Sequence, residues 1–136
     1  MFEIFAHTAD LGLRIRASDL NELYAEAGRG LLAVIVRNPQ DVRPDVAIEF
    51  QLEETQLDFL LVDWLTELLF AFESRHLLLA RFEAELTDGR LTAKAWGEPC
   101  DETRHQLEHE VKAVTYHGLT VRQVDGEWLA EVILDI

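Results

Sequence analysis

The residues best suited to chemistry in this sequence are His7-Thr8-Ala9-Asp10 and the final pair Asp135-Ile136. Asp10 follows a short run that reads as the first strand, and Asp135 closes a run that reads as the last. Ile136 has no polar side chain and offers only main-chain oxygens, which at the end of the sequence are expected to form a carboxylate. If the two strands are neighbours, three oxygen-rich anions converge. Like charges held together repel unless a cation offsets them, so the arrangement is either costly or a site for a hard metal ion.

The segment Glu110 to Gly118 supplies a candidate cation, Lys112, which with Lys94 makes up all the lysine in the chain. Read as a strand, it sends Lys112, Val114 and Tyr116 to one face and Val111, Ala113 and Thr115 to the other. Two roles follow for Lys112. One is a surface salt bridge with Glu110 or Glu131, contributing at most about 1 kcal/mol. The other is a cation beside the carboxylates, able to contact a phosphate or a partner's acidic group.

Two other constellations are weaker. His105-Gln106-Leu107-Glu108-His109 matches the H-x-x-E-H pattern of some zinc peptidases. That chemistry needs a long stable helix and a third ligand, whereas this segment is short, opens near Pro99 and is rich in charge. A solvated face is the better reading. Cys100 stands among Glu98, Asp101 and Glu102, which favour the neutral thiol over the reactive thiolate. The chain also lacks a G-x-x-x-x-G-K phosphate loop and a G-x-S-x-G elbow, so its residues do not advertise an enzyme.

Composition narrows the partners. The formal charge is −14 and no cluster of Lys and Arg is visible, which disfavours direct nucleic-acid binding. Such acidity keeps a protein soluble and steers it toward a metal ion or a basic protein. The single cysteine cannot form an internal disulfide, and the start Met-Phe-Glu-Ile lacks the regions of a signal peptide, so a cytoplasmic location is expected. The apolar stretch Leu57 to Phe72 is broken by Asp58, Asp63 and Glu67, so no membrane span is expected.

The positioning elements are legible in outline. Phe2 to Phe5 and Gly12 to Arg16 read as strands, with residues 7–10 a loop between them. Asp19, or else Ser18, caps a helix over about residues 20–36, where Gly28 and Gly30 suggest close packing on a sheet. Val46 to Leu52 reads as a strand and Leu57 to Ser74 as a second helix, apolar around so much of its circumference that it is a core helix or keeps a face for a partner. Leu77–Leu86 with Leu91–Trp96, and Gly118–Val124 with Trp128–Leu134, flank Asp-Gly turns and read as hairpins. Between the hairpins, residues 97–110 read as a polar surface excursion with one helical turn around 102–107. Residues 1–136 thus form a single α+β domain, a largely antiparallel sheet with two main helices packed on it.

These segments together resemble the archease family, small proteins that assist RtcB-type RNA ligases in tRNA splicing and RNA repair. The resemblance is carried by His7-Thr8-Ala9-Asp10 with Gly12, residues 61–69 (LVDWLTELL), Gly97-Glu98-Pro99, Glu110 to Gly118 and residues 132–136 (VILDI), in the family's order along the chain. It implies a protein cofactor that is not itself the ligase and that promotes guanylylation of the ligase's active-site histidine. It implies a divalent cation, typically calcium, held by Asp10, Asp135 and Ile136, and a role for Lys112 in activity. The runner-up function is a chaperone or modulator of other nucleic-acid-processing proteins, suggested by the acidity and the wide apolar helix; a zinc hydrolase would rest on H-x-x-E-H alone.

Overall fold

The computed structural model describes residues 1–136. Its elements run β1 (Phe2–His7), β2 (Asp10–Ala17), α1 (Leu20–Ile35), a short 3-10 turn (Pro39–Asp41), β3 (Val46–Glu53), α2 (Leu57–Arg75), β4 (Leu77–Thr87), β5 (Arg90–Pro99), β6 (Ala113–Val114), β7 (Thr120–Val124) and β8 (Glu127–Asp135). The class is α+β, as expected. The strands form two sheets rather than one. The larger is ordered β1-β2-β8, with β6 and β7 sharing the far edge of β8, and the smaller is ordered β3-β5-β4. All named pairings are antiparallel.

Both Asp-Gly turns adopt the left-handed geometry that closes a two-residue hairpin with the right twist. Asp88 and Gly89 have φ of 49° and 75°, and Asp125 and Gly126 have 52° and 82°. Helix α1 starts at Asp19, whose carboxylate accepts the Glu22 amide at 2.8 Å. Its two glycines explain how it fits between the sheets. A Cβ on Gly28 would come within 2.8 Å of the Phe82 ring of β4, and one on Gly30 within 2.7 Å of Leu13 of β2. Each glycine costs a helix about 1 kcal/mol relative to alanine, and here each admits a core side chain of a different sheet.

Trp64 of α2 is fully buried at the centre of the core. Its indole N–H donates to the Tyr24 carbonyl at 2.8 Å, and its ring meets Phe50 and Phe82 edge-on at centroid distances of 5.3 and 6.2 Å. The Tyr24 hydroxyl in turn donates to the Leu57 carbonyl. Core burial of α2 is therefore correct for Leu60, Leu61, Trp64, Leu65 and Leu68. Phe59 and Phe70 are the exceptions, exposed on its outer side.

Three local expectations need correction. His7 and Asp10 are not loop residues: they are the last rung of the β1–β2 pair, leaving only Thr8 and Ala9 in the turn. Strand β5 continues through Gly97 to Pro99, because Gly97 lets β4 bulge toward it; a Cβ there would sit 1.7 Å from the Leu78 carbonyl oxygen. The excursion from residue 100 onward is not merely solvated. The Glu108 and His109 amides donate to the Ile35 and Val34 carbonyls at 2.8 and 3.3 Å, satisfying acceptors that the end of α1 leaves free.

Candidate functional site

Strand pairing places the two predicted carboxylates at adjoining strand ends. The β2–β8 register runs from Ala17 opposite Trp128 to Leu11 opposite Leu134, and Asp10 and Asp135 are the next residues of the two strands. Successive residues of a strand face opposite sides. Leu11, Leu13 and Ile15 point into the core with Leu134, Val132 and Ala130, so Asp10 and Asp135 belong to the outer face. His7, paired with Asp10, lies in the same rung. Ile136 follows at the end of the row, half-buried against the core.

Further along this face the charges are balanced, with Arg14 lying 3.9 Å from Glu3 and 3.4 Å from Glu131. The Asp10–Asp135 rung has no such cation. His7 Nδ1 lies 3.8 Å from Asp10 Oδ2, is shielded from solvent and has no hydrogen-bond partner. The His7 ring also meets His117 edge-on at 5.5 Å. Sequence reasoning missed this histidine pair. His117 stood in a highlighted segment, but nothing local links it to His7.

Residues 111–117 lie along the other edge of β8. The Lys112 amide donates to the Asp135 carbonyl at 2.7 Å, and Thr115 donates to the Ile133 carbonyl through its amide at 3.0 Å and its hydroxyl at 2.9 Å. Only Ala113 and Val114 have strand geometry. The expected alternation fails accordingly, since Val111 is buried while Ala113 is exposed. The Lys112 side chain is exposed and makes none of the chain's ion pairs; Glu131, one of its expected partners, is taken by Arg14.

The donor set is oxygen-rich. Asp10 and Asp135 can supply carboxylates and Ile136 main-chain oxygen, a combination that suits a hard cation of calcium type, which tolerates irregular geometry. No three His, Cys, Asp or Glu side chains in the chain form a metal-holding group. Side chains alone would therefore leave a coordination sphere open, to be completed by main-chain oxygen and water.

His105 is not on a solvated face. It is 1% exposed, and its partner Glu98 is 6% exposed. His105 Nδ1 accepts the Asp101 amide at 2.9 Å, which leaves the proton on Nε2, 3.1 Å from Glu98 Oε2. Glu98 also accepts the Arg43 amide at 2.6 Å and the Arg104 guanidinium. Burial alone would raise the Glu98 pKa, but these donors hold it below the usual carboxylate range. His109 is remote from this pocket in role: it is half exposed, on no helix shared with His105, so the H-x-x-E-H pattern assembles no zinc site. Burial, then Glu102 and Asp101, push the Cys100 thiol up, away from a reactive thiolate.

A model of the archease protein family matches residues 2–136. Among curated relatives, the protein archease of Methanopyrus kandleri is 37% identical over 139 residues, covering 99% of both chains. That of Pyrococcus furiosus is 34% identical over 140 residues, covering 99% of this chain and 98% of its own. The solution structure of Methanobacterium thermoautotrophicum protein 1598 superposes with a TM-score of 0.88 at 34% identity, covering 99% of this chain and 98% of that one. A Thermotoga maritima archease, described as a possible chaperone, shares the fold with a TM-score of 0.67 at 19% identity, over 100% of this chain and 98% of that one. No helix is long and apolar enough to cross a membrane.

Proposed function

The chain belongs to the archease family, and from that premise we propose that it is a non-catalytic protein cofactor of an RtcB-type RNA ligase, promoting the ligase's guanylylation and turnover in tRNA splicing and RNA repair. The observation that carries this reading is the rung of Asp10 and Asp135 at one tip of the larger sheet, without an Arg or Lys paired to either. A divalent cation held there by Asp10, Asp135 and Ile136 would offset the charge of the rung and polarise a partner's phosphate oxygens. Everything else the chain supplies is positioning. The β2–β8 ladder sets the two aspartates at neighbouring strand ends, the bonds from Lys112 and Thr115 to β8 hold the adjoining segment in place, and Lys112 is an exposed cation on that segment. An acidic tip of this kind suits a partner whose own site handles metals, phosphates and a basic RNA surface.

The test is GTP-dependent labelling of the cognate ligase with and without this chain, under single and multiple turnover. Faster labelling is expected, with no labelling of the chain itself. An unchanged rate in both regimes overturns the reading.

The second reading is a chaperone for other nucleic-acid-processing proteins. Exposed Phe59, Phe70 and Tyr116 favour it, because large aromatics left in solvent mark protein-binding surface. Suppression of aggregation of an unrelated client, with no effect on the ligase, would select it.

A further inference from the structure

Beside the acidic tip, the outer face of α2 has features that neither the core nor the proposed metal site uses. Phe59 is 38% exposed, Phe70 61% and Tyr116 61%. Phe59 and Phe70 lie on one stripe of the helix, since a step from i to i+11 returns to the same side. At about 1.5 Å per residue they stand roughly 16 Å apart along the axis. Tyr116 extends the stripe across to the larger sheet, its ring edge-on to Phe59 at 5.7 Å. The next residue, His117, meets His7 in the Asp10 rung. The aromatic stripe is thus continuous with the tip.

Asp63, Glu67 and Glu73 flank the stripe, and no cation of the chain is paired with any of them. Burial, and then the charge of Glu54, push the Asp63 carboxyl up, as happens to an anion short of a positive neighbour. The outer face of the smaller sheet makes a contrast. There Lys94 stands in register between Glu49 and Glu83, and Trp96 is covered by Arg81 at 4.9 Å and Lys94 at 5.3 Å. That face carries ion pairs of its own, Arg81 with Glu83 and Arg90 with Glu53, whereas the carboxylates flanking the α2 stripe make none.

We propose that the Phe59–Tyr116–Phe70 stripe is a docking surface for an arginine-bearing amphipathic segment of a partner protein. A guanidinium stacks on an aromatic face while pairing with a carboxylate through its planar fork, so one arginine can use both features of this surface, and the segment's apolar side covers Phe70. A nucleic acid or an anionic membrane would meet unpaired carboxylates and be repelled. A second copy would bring the same acidic face against itself. Docking here would lay the partner along α2 and leave it beside the rung. The partner's identity as the ligase rests on the reading above; the chemistry of the surface does not.

The experiment has two arms. In the first, affinity for the cognate ligase is measured for the wild-type chain and for Phe59→Ser, Phe70→Ser and Tyr116→Ser, each checked for folding by thermal unfolding. A loss of at least tenfold in affinity is expected for Phe59→Ser or Tyr116→Ser, with the labelling rate at saturation unchanged. In the second, an isotopically labelled chain is titrated with a synthetic helix of alternating leucine and arginine turns, and with the same peptide carrying glutamate for arginine. Shifts at Phe59, Tyr116 and Phe70 with the arginine peptide alone support the proposal. If the wild-type chain does not bind the ligase, the ligase reading falls and the peptide arm decides this one. Unchanged affinity in the variants overturns it, and so do peptide shifts confined to the smaller sheet. Self-association lost in Phe70→Ser would assign the surface to a second copy and overturn it equally.

Discussion

His105 Nε2 lies 3.1 Å from Glu98 Oε2, with both side chains buried, in a pocket that joins the end of β5 to the loop capping α1. The imidazole and carboxylate are structural partners. Removing either strands the other among groups that water cannot reach. His105→Ala is expected to lower stability by about 2 kcal/mol, on the scale of an unsatisfied buried group, while His109→Ala leaves it within about 0.5 kcal/mol as an ordinary surface change. Thermal unfolding of the two single variants checks this, and metal analysis of the wild type should find no zinc lost on either substitution.

The same pocket gives acid sensitivity a sign. Donors from Arg43, His105 and Arg104 overcome the effect of burial and depress the folded-state pKa of Glu98. A depressed carboxylate contributes stability that is complete above its unfolded pKa, about 4.3, and is lost as pH falls through the lower folded value. Denaturant unfolding of the wild type should therefore weaken from about pH 4.3 downward, and Glu98→Gln should flatten that part of the profile while lowering stability near neutrality. An unaltered acid limb in Glu98→Gln would remove the pocket from the account.

Gly97 stands opposite Leu79, beside the register shift of β4. A Cβ at this position would overlap the Leu78 carbonyl oxygen, which belongs to backbone and cannot rotate away. Gly97→Ala is expected to cost about 3 kcal/mol, as overpacking against a fixed neighbour does. The measurement is equilibrium unfolding beside Gly126→Ala, whose hairpin turn has open space around it and fails only through its positive φ.

Lys112 is exposed and makes no ion pair, so Lys112→Ala should leave stability within about 0.5 kcal/mol. Under the proposed function the same change weakens stimulation of the ligase, because the lost cation is one that a partner meets. Unfolding and guanylylation measured side by side distinguish the roles, and full stimulation by Lys112→Ala would leave the residue with neither.

Asp10 and Asp135 should act together in cation binding. Asp10→Ala and Asp135→Asn are each expected to weaken calcium binding by about tenfold or more, a loss that even supporting groups around a metal produce, without loss of fold. Calorimetric titration of the three proteins is the check. Equal affinities would show that the rung is not where calcium binds.

What the sequence determined by itself is local. The Asp88-Gly89 and Asp125-Gly126 turns, the Asp19 cap and the alternation of β2, β3 and β5 follow from backbone preferences and side-chain periods that operate within a few residues. Residue types and their places in the sequence already singled out Asp10, Asp135, Ile136 and Lys112, but they left the meeting of the aspartates conditional on their two strands being neighbours. Their meeting depends on β8 choosing β2 as its neighbour, and strand alternation specifies a buried face without specifying a partner. The tertiary structure also split one expected sheet into two, with α1 between them, admitted by Gly28 on one side and Gly30 on the other. It buried His105, because the polar loop after β5 folds back to supply the hydrogen bonds that α1 lacks at its end. It set His7 on His117 and Phe59 on Tyr116 through contacts between segments far apart in the chain, which no local period encodes.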